Sequence, residues 1–317
     1  MTTVGPAMPQ PSPFPTLTPS DAELDLAVGA EAVPRTQWQL FWRRFFRHKL
    51  ALGSLILLGG LCFCCFGARW VAPYSIKTID ISLIGEAHGP SWKHWMGTDE
   101  LGHDQLSVLL YAGQISLRIG LAVAVFSTVL GVLVGAAAGY FGSVIDRCLS
   151  AVTDLFLVVP QLALLAVALS YFGRSPTTII MVLALLGWTY IARVVRGQVL
   201  ALKEKEFVEA ARASGASSWR IIIRHILPNL VGAIMVNLTL SVAVAIVAES
   251  TLSFLGFGIN PPANSWGLML SNNETAVNDF SKMHLLLFPG LFLLVTVICV
   301  NFLGDGLRDA FDPQAKH

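Results

Sequence analysis

The sequence predicts an all-α integral membrane protein with six transmembrane helices and both termini in the cytoplasm, and three observations predict it. Only 13% of the residues are charged and 54% are hydrophobic, against about 25% charged in a soluble domain. Six runs without Asp, Glu, Lys or Arg are each long enough to cross ~30 Å of hydrocarbon, which takes about 20 helical residues. Threading those runs back and forth puts fifteen Lys and Arg on one side and six on the other, and these residues gather on the cytoplasmic side. The net charge of +1 supplies no field that would draw nucleic acid; the expected surroundings are membrane lipid.

Residues 1–37 come first. The opening 34 hold seven of the 16 prolines, four acids and no base, too little apolar surface to offset chain entropy, so a disordered cytoplasmic tail is expected. Arg43, Arg44, Arg47 and Lys49 then precede the first run, Leu50–Ala68. That span and a long outer connection make up residues 38–112; the connection carries Asp80, Glu86, Asp99, Glu100 and Asp104 with His88, His94 and His103. Residues 113–305 form a core with the runs Ile119–Ile145, Leu155–Gly173, Ser175–Ala192, Ile226–Ala248 and Met283–Gly304, and 306–317 a cytoplasmic tail. A further charge-free stretch, Ser250–Asn273, holds Asn260-Pro261-Pro262-Ala263-Asn264. Such a backbone cannot be satisfied in lipid, so it reads as an outer loop. Cys62, Cys64 and Cys65 cluster in the first run without a neighbouring His or acid and read as small apolar side chains, so no metal site is expected.

The cytoplasmic segment 203–228 divides at Gly215. Before it, Phe207, Ala210, Ala211 and Ser214 recur at i, i+3, i+4 and i+7, one face of a short helix. Glycine can end a helix in the left-handed conformation, and Ser217 or Ser218 can cap the next. In that second helix Trp219, Ile222, Ile223 and Ile226 share a face opposite Arg220 and Arg224, and Pro228 marks the junction with the fifth span. A basic loop can simply lie on lipid headgroups. Glu206 and Glu209 would meet anionic lipid unfavourably, and the alanine pair offers a shallow face for another protein.

Polar residues at membrane depth are costly and so informative. Asp154 borders the third span ahead of Pro160, where an ion pair or structural hydrogen bond outweighs a transport role; Glu249 ends the fifth span on the outer side, with structural and pathway readings even; Asn237 lies mid-span near Thr239 and Ser241, lining a path or joining helices. These three are the candidates for lining a path through the membrane or for pairing with another membrane chain. Gly131, Gly135 and Gly139 recur every four residues, a stripe that lets helices approach closely.

No G-x-x-x-x-G-K-[S/T] phosphate loop and no HExxH occurs, and His284, the one histidine in the six runs, leaves no nucleophile and base together at depth. No catalytic residue is assigned. A self-sufficient secondary transporter or channel would tend to show broken helices or midplane charges, whereas the acids here stand at span ends.

Glu209-Ala210-Ala211, Gly215 and Leu227-Pro228, in an inward loop before a span, resemble the EAA loop of bacterial ABC importer permeases. Gly97-Thr98-Asp99 with Gly102, Asp104 and Ser107, the stretch Glu249–Gly256 with Pro261-Pro262 and Trp266-Gly267, and the ending Gly304–Ala310 with Asp312-Pro313 resemble the dipeptide, oligopeptide and nickel importer permeases. The extra first span after Arg43-Arg44 is similar to that of their C-type chain. The resemblance covers about Trp38 to Pro313. It implies a type I ABC importer permease fold and a path formed with a second, B-type permease chain. It also implies two ATP-binding subunits that seat the 203–228 loop and hold ATP and Mg, an extracytoplasmic substrate-binding protein, and no cofactor in this chain. The implied cargo is peptide; nickel chelates or another small solute remain an alternative. His103 and Gln114 stand where the family commonly has arginine, and Val108 where a basic residue is frequent, which removes positive charge near the outer face.

Overall fold

The computed structural model describes residues 37–311; the expected N-terminal tail and the last six residues lie outside them. The chain divides into two units at Arg43/Arg44. Residues up to Arg43 contribute the start of helix α1 (Gln37–Arg47), whose last turn carries Arg44 and Arg47.

The α-helices of the second unit, from Arg44 on, are α2 (Lys49–Phe66), α3 (Ala68–Val71), α4 (Gln105–Phe141), α5 (Ser143–Val158), α6 (Gln161–Phe172), α7 (Pro176–Leu202), α8 (Glu206–Ala213), α9 (Ser218–Ile221), followed by a π-helical turn Ile222–Ile226, then α10 (Leu227–Phe254), α11 (Trp266–Asn272) and α12 (His284–Phe311). Among the described residues, five stretches are long and apolar enough to span a membrane alone: Lys49–Phe66, Gln105–Phe141, Pro176–Leu202, Ser218–Phe254 and His284–Phe311. The sixth expected span is a bent pair. The apolar run Leu155–Gly173 is divided between α5 and α6, which meet at 86°. Pro160 is the cause: it disfavours helical geometry at Val159, which adopts extended angles, and its ring has no N–H to continue the ladder.

Sequence explains the other boundaries. Asp104 caps α4 by accepting from the Ser107 amide at 2.9 Å, and Ser175 caps α7 with Pro176 in the first turn. Helix α4 crosses the expected 112/113 boundary without interruption and is 37 residues long, about 55 Å, well beyond the hydrocarbon thickness. Likewise α12 runs through Phe311, so its last turns include the first residues of the expected 306–317 tail.

Helices α4 and α7 form the closest pairing. A Cβ on Gly131 would stand 2.7 Å from Ile191 Cβ, one on Gly135 2.5 Å from the Ala192 carbonyl oxygen, and one on Gly139 2.8 Å from Val199 Cβ. The four-residue glycine stripe is thus a seam on which α7 lies. Toward the outer end of α4, Gly113 meets Cys65 and Trp266, and Gly120 meets Ile246, so glycine also admits α2, α10 and α11. The Pro/Asn-rich stretch is more than a loop: it contains α11, whose Trp266 is fully buried. Its indole N–H donates to the Leu109 carbonyl at 3.0 Å, and its amide donates to Ser116 Oγ at 3.1 Å.

The outer connection folds over the N-terminus of α4 with little regular structure. His94 sits between Asp104 (3.0 Å) and Asp80 (3.7 Å), with the Tyr74 ring 5.0 Å away. The hydrogen bond from Lys93 to Asp80, with help from Ser82, holds the Asp80 carboxyl well below the usual carboxylate range. Lys282 pairs with Glu100 at 2.6 Å, and His284 Nε2 approaches the Thr98 carbonyl at 3.4 Å, tying this cover to the start of α12. His103 turns its Nδ1 onto Asp99 at 3.0 Å, and Gln114 Nε2 donates to the Cys65 carbonyl at 2.8 Å.

The seam gives a direct test. Gly135→Val forces overpacking against Ala192, for which about 1–3 kcal/mol is typical, and the purified protein should melt earlier in detergent. Gly197→Ala on α7, where a Cβ meets nothing within 4 Å, should leave the melting temperature unchanged or raise it. Equal melting of the two variants would dismiss the seam as a determinant of stability.

Candidate functional site

The segment expected to be two short helices hinged at glycine is built that way. α8 ends at Ser214, and Gly215 follows with φ +77°. The Gly215 amide donates to the Arg212 carbonyl at 3.0 Å and the Ala216 amide to the Ala211 carbonyl at 3.1 Å. These two bonds are the Schellman arrangement, which satisfies carbonyls left over at a helix end. No atom lies within 4 Å of a Cβ placed on Gly215. The demand for glycine is therefore conformational, since a left-handed residue with a side chain costs roughly 1–2 kcal/mol. Ser217 occupies the N-cap position of α9, but its side chain makes no capping hydrogen bond.

The loop is bolted to the bundle by one apolar cluster. Val208, Ile221, Ile222 and Ile226 are buried together with Ala136 of α4, Ile191, Val195 and Val199 of α7, and Leu230 of α10, and Ala211 and Leu227 are packed against them. This corrects the face expected for the second helix: Ile222 and Ile226 are inside, but Trp219 and Ile223 are each 61% exposed and Ile221 takes the inner place. The reason is the π turn, in which the Leu227 amide reaches back five residues to the Ile222 carbonyl. One extra residue per turn breaks the i, i+3, i+4 register. Pro228, with no N–H to offer and a ring that crowds the carbonyl four residues earlier, stands immediately after it in the first turn of α10.

The outward face consists of Phe207 (41% exposed), Ala210, Trp219 and Ile223. Glu206 and Glu209 stand exposed in the first turn of α8, and Arg220 and Arg224 are exposed on the second arm. Trp219 also meets Phe141, the last residue of α4, edge to face at 6.0 Å. A shallow, mixed surface with aromatic anchors suits contact with another protein. The six loop residues Glu209, Ala210, Ala211, Gly215, Leu227 and Pro228 thus separate: Glu209, Ala210, Gly215 and Pro228 are exposed, and Ala211 and Leu227 are half-buried against the bundle.

The three candidate path residues lie apart from one another. Asn237 is half-buried and donates to the Ala233 carbonyl of its own helix at 2.8 Å. Glu249 is fully buried within this chain, where Oε1 accepts from Ser253 at 2.8 Å and Ser265 at 2.7 Å. Ser265 caps α11, so the carboxyl joins α10 to α11 and opens onto no exposed surface of the chain. Asp154 accepts from Arg193 at 2.6 Å, an ion pair between α5 and α7. A second pair was not singled out from sequence: Arg196 binds Asp146 through Nε at 2.5 Å and through a terminal nitrogen at 2.8 Å. The signal available was Asp146 and Asp154 eight residues apart on one helix, with two arginines three apart on another.

A family profile described as "Binding-protein-dependent transport system inner membrane component" matches residues 131–317, and one described as "N-terminal TM domain of oligopeptide transport permease C" matches residues 36–89. The chain is 41% identical over 276 residues to the oligopeptide transport system permease protein OppC of Mycobacterium bovis, covering 86% of this chain and 94% of that one. It is 38% identical over 282 residues to OppC of Haemophilus influenzae, covering 89% of this chain and 90% of that one. It is 36% identical over 283 residues to the glutathione transport system permease protein GsiD of Pectobacterium atrosepticum, covering 89% of this chain and 93% of that one. In fold it is similar to the MetNI methionine ABC transporter in an inward-facing conformation, with a TM-score of 0.53 at 19% identity over 65% of this chain and 96% of that one.

Glu249→Ala should remove the acceptor of two buried hydroxyls, at about 1–3 kcal/mol, and lower the melting temperature in detergent. Asn237→Ala, which gives up only a bond within its own helix, should shift it far less; the reverse order would contradict the joining role of Glu249.

Proposed function

The chain belongs to the binding-protein-dependent transport system inner membrane components, and from that premise we propose that it is the C-type permease subunit of an ATP-driven importer of peptides. In this reading it forms the membrane path together with a second permease chain. Two ATP-binding subunits, which hold the ATP and Mg, seat the α8–Gly215–α9 loop, and an extracytoplasmic binding protein delivers the cargo. The chain itself is a transport subunit without a nucleotide site. Its membrane is the bacterial inner membrane, with both termini and the coupling loop on the cytoplasmic side, as the fifteen-to-six distribution of Lys and Arg favours. The names of the OppC and GsiD relatives favour oligopeptides or a peptide such as glutathione as cargo.

The observation that carries the reading is the division of the loop into an inward face buried with α4, α7 and α10 and an outward face of Phe207, Ala210, Trp219 and Ile223. A partner that grips the outward face can move the ends of three spans at once. ATP binding would close the two ATPases and draw the coupling loops with them. The path would open toward the binding protein, and hydrolysis would reset it.

Gly215→Val places a β-branched residue at φ +77°, where even alanine is strained. In proteoliposomes holding the whole complex it should leave ATP hydrolysis running while uptake falls. Uptake at the parental rate would count heavily against the hinge. Glu209→Lys should lower the amount of ATPase that co-purifies, and unchanged recovery would show that α8 is not where the ATPase sits. Mass spectrometry of ligands released from the co-purified binding protein should return short peptides; a metal chelate or sugar would replace the cargo assignment.

A further inference from the structure

Helix α5 is held unlike any other long element of the bundle. Both of its ends are backbone breaks. Gly142 and Ser143 both have positive φ, +62° and +49°, and the second is a conformation that costs a residue with a side chain energy. At the other end Val159–Pro160 turns the chain by 86°. Between the breaks stand 16 residues, of which only Thr153 is buried. Val144, Ile145, Val152, Leu155 and Val158 are all exposed. Beneath the helix, a cavity of about 420 Å³ is lined by Gly135 and Ala138 of α4, Ser150, Thr153 and Asp154 of α5, and Ala192, Arg193 and Arg196 of α7. Apolar packing, which fixes α4 to α7, is thin here.

One ring contact remains, Phe156 edge to face with Trp188 of α7 at 5.8 Å, and charge adds two further anchors. Arg193 reaches Asp154 at 2.6 Å, and Arg196 grips both oxygens of Asp146. The two carboxylates are two turns apart along α5, about 12 Å, whereas the arginines are one turn apart on α7. Two anchors at that spacing fix the direction of α5 as well as its distance, where a single pair would let it pivot. Both arginines stand in the last three turns of α7, whose end passes through Lys203, Glu204 and Lys205 directly into α8.

We propose that α5 is a lever clamped to α7 by the Arg193–Asp154 and Arg196–Asp146 pairs, so that a displacement of the coupling loop carries α5 with it and is taken up at the Val159–Pro160 break. The four side chains are positioning residues in this proposal. They set how α5 follows α7. This inference rests on the coupling role of the α8–α9 loop. It adds the route by which the motion leaves that loop for a bent span.

The test uses the whole complex in proteoliposomes and reads ATP hydrolysed per peptide imported. Asp154→Arg or Arg193→Asp alone should raise that ratio by about fivefold or more, the lower end of ordinary coupling energies, with the complex still recovered intact. The exchanged pair, Asp154→Arg with Arg193→Asp, should return it toward the parental value, as should the corresponding exchange at Asp146 and Arg196. Parental coupling in the single variants, or failure of both exchanged pairs to restore it in an assembled complex, overturns the proposal. If single variants do not assemble, spin labels on unnatural side chains in the otherwise parental chain decide the matter. The distance from Val152 on α5 to Tyr190 on α7 should hold between nucleotide-free and ATP-bound states, while that from Val152 to Val167 on α6 changes. A change in the first distance with the second constant overturns the lever. Failure of the coupling reading itself is separable: it appears as parental uptake in Gly215→Val, which leaves all four charged residues in place.

Discussion

The close approach of α4 and α7 is the constraint on which the other helices depend. It requires glycine at 131, 135 and 139, because each of these positions looks onto a side chain or carbonyl of α7 at a distance no Cβ could keep. Without a strong hydrophobic drive between helices in lipid, such backbone proximity and its dispersion contacts are a main source of association. Once the two are locked, their C-terminal ends are locked as well. Ala136, Val195 and Val199 then present a fixed apolar floor to Val208, Ile221 and Ile222, and Phe141 meets Trp219. The α8–Gly215–α9 loop is thus seated on the most closely approached pair of helices. The outer half of α4 uses Gly113 and Gly120 in the same way to admit Trp266 and Ile246, so one helix serves as the spine for both ends.

How much of this was legible in the sequence follows from what each signal measures. Hydropathy counts apolar residues and found, among the described residues, the five single-helix candidates and the bent pair, but it carries no angle, and Leu155–Gly173 stays apolar across the break at Pro160. The glycine stripe was legible because a period of four survives in a straight helix. The hinge at Gly215 was legible because glycine ends helices in a defined conformation. The face of the second arm was not, because the Ile222–Ile226 turn is π-helical and a 3.6-residue period assigns Ile223 and Trp219 to the wrong side. Glu249 shows another limit. An acid at a span end is visible as a cost, yet its compensation comes from Ser265, 16 residues later, and nothing local announces that pairing.

The departures from the family pattern have structural sequels on the outer side. Gln114 stands where arginine is common and spends its amide on the Cys65 carbonyl, near the end of α2. His103 replaces another arginine and pairs with Asp99 inside its own turn. Both side chains thus serve the junction between the first span, the outer cover and α4. That cover is held by a chain of polar contacts, Lys93–Asp80, His94–Asp104 and Lys282–Glu100, with little apolar core beneath. Such a construction buries less apolar surface than the glycine seam does, and of its three contacts only His94–Asp104 is buried.

The same contrast in packing holds at the C-terminal end of α4, and it gives the fold its mechanical logic. Tightly packed interiors shift between discrete arrangements and do not deform gradually. A push on Phe207 and Trp219 cannot be absorbed within the loop, because Val208 and Ile221 on the reverse side are part of the α4–α7–α10 cluster. The push must pass into the bundle. There the glycine seam is closely packed, whereas Gly142–Ser143 and Val159–Pro160 are breaks in the backbone. Helix α5 lies between these two breaks. A bundle that was equally well packed everywhere would resist a push or move as a block; on the coupling reading proposed above, one loosely packed helix held by two ion pairs gives that motion a defined element to move.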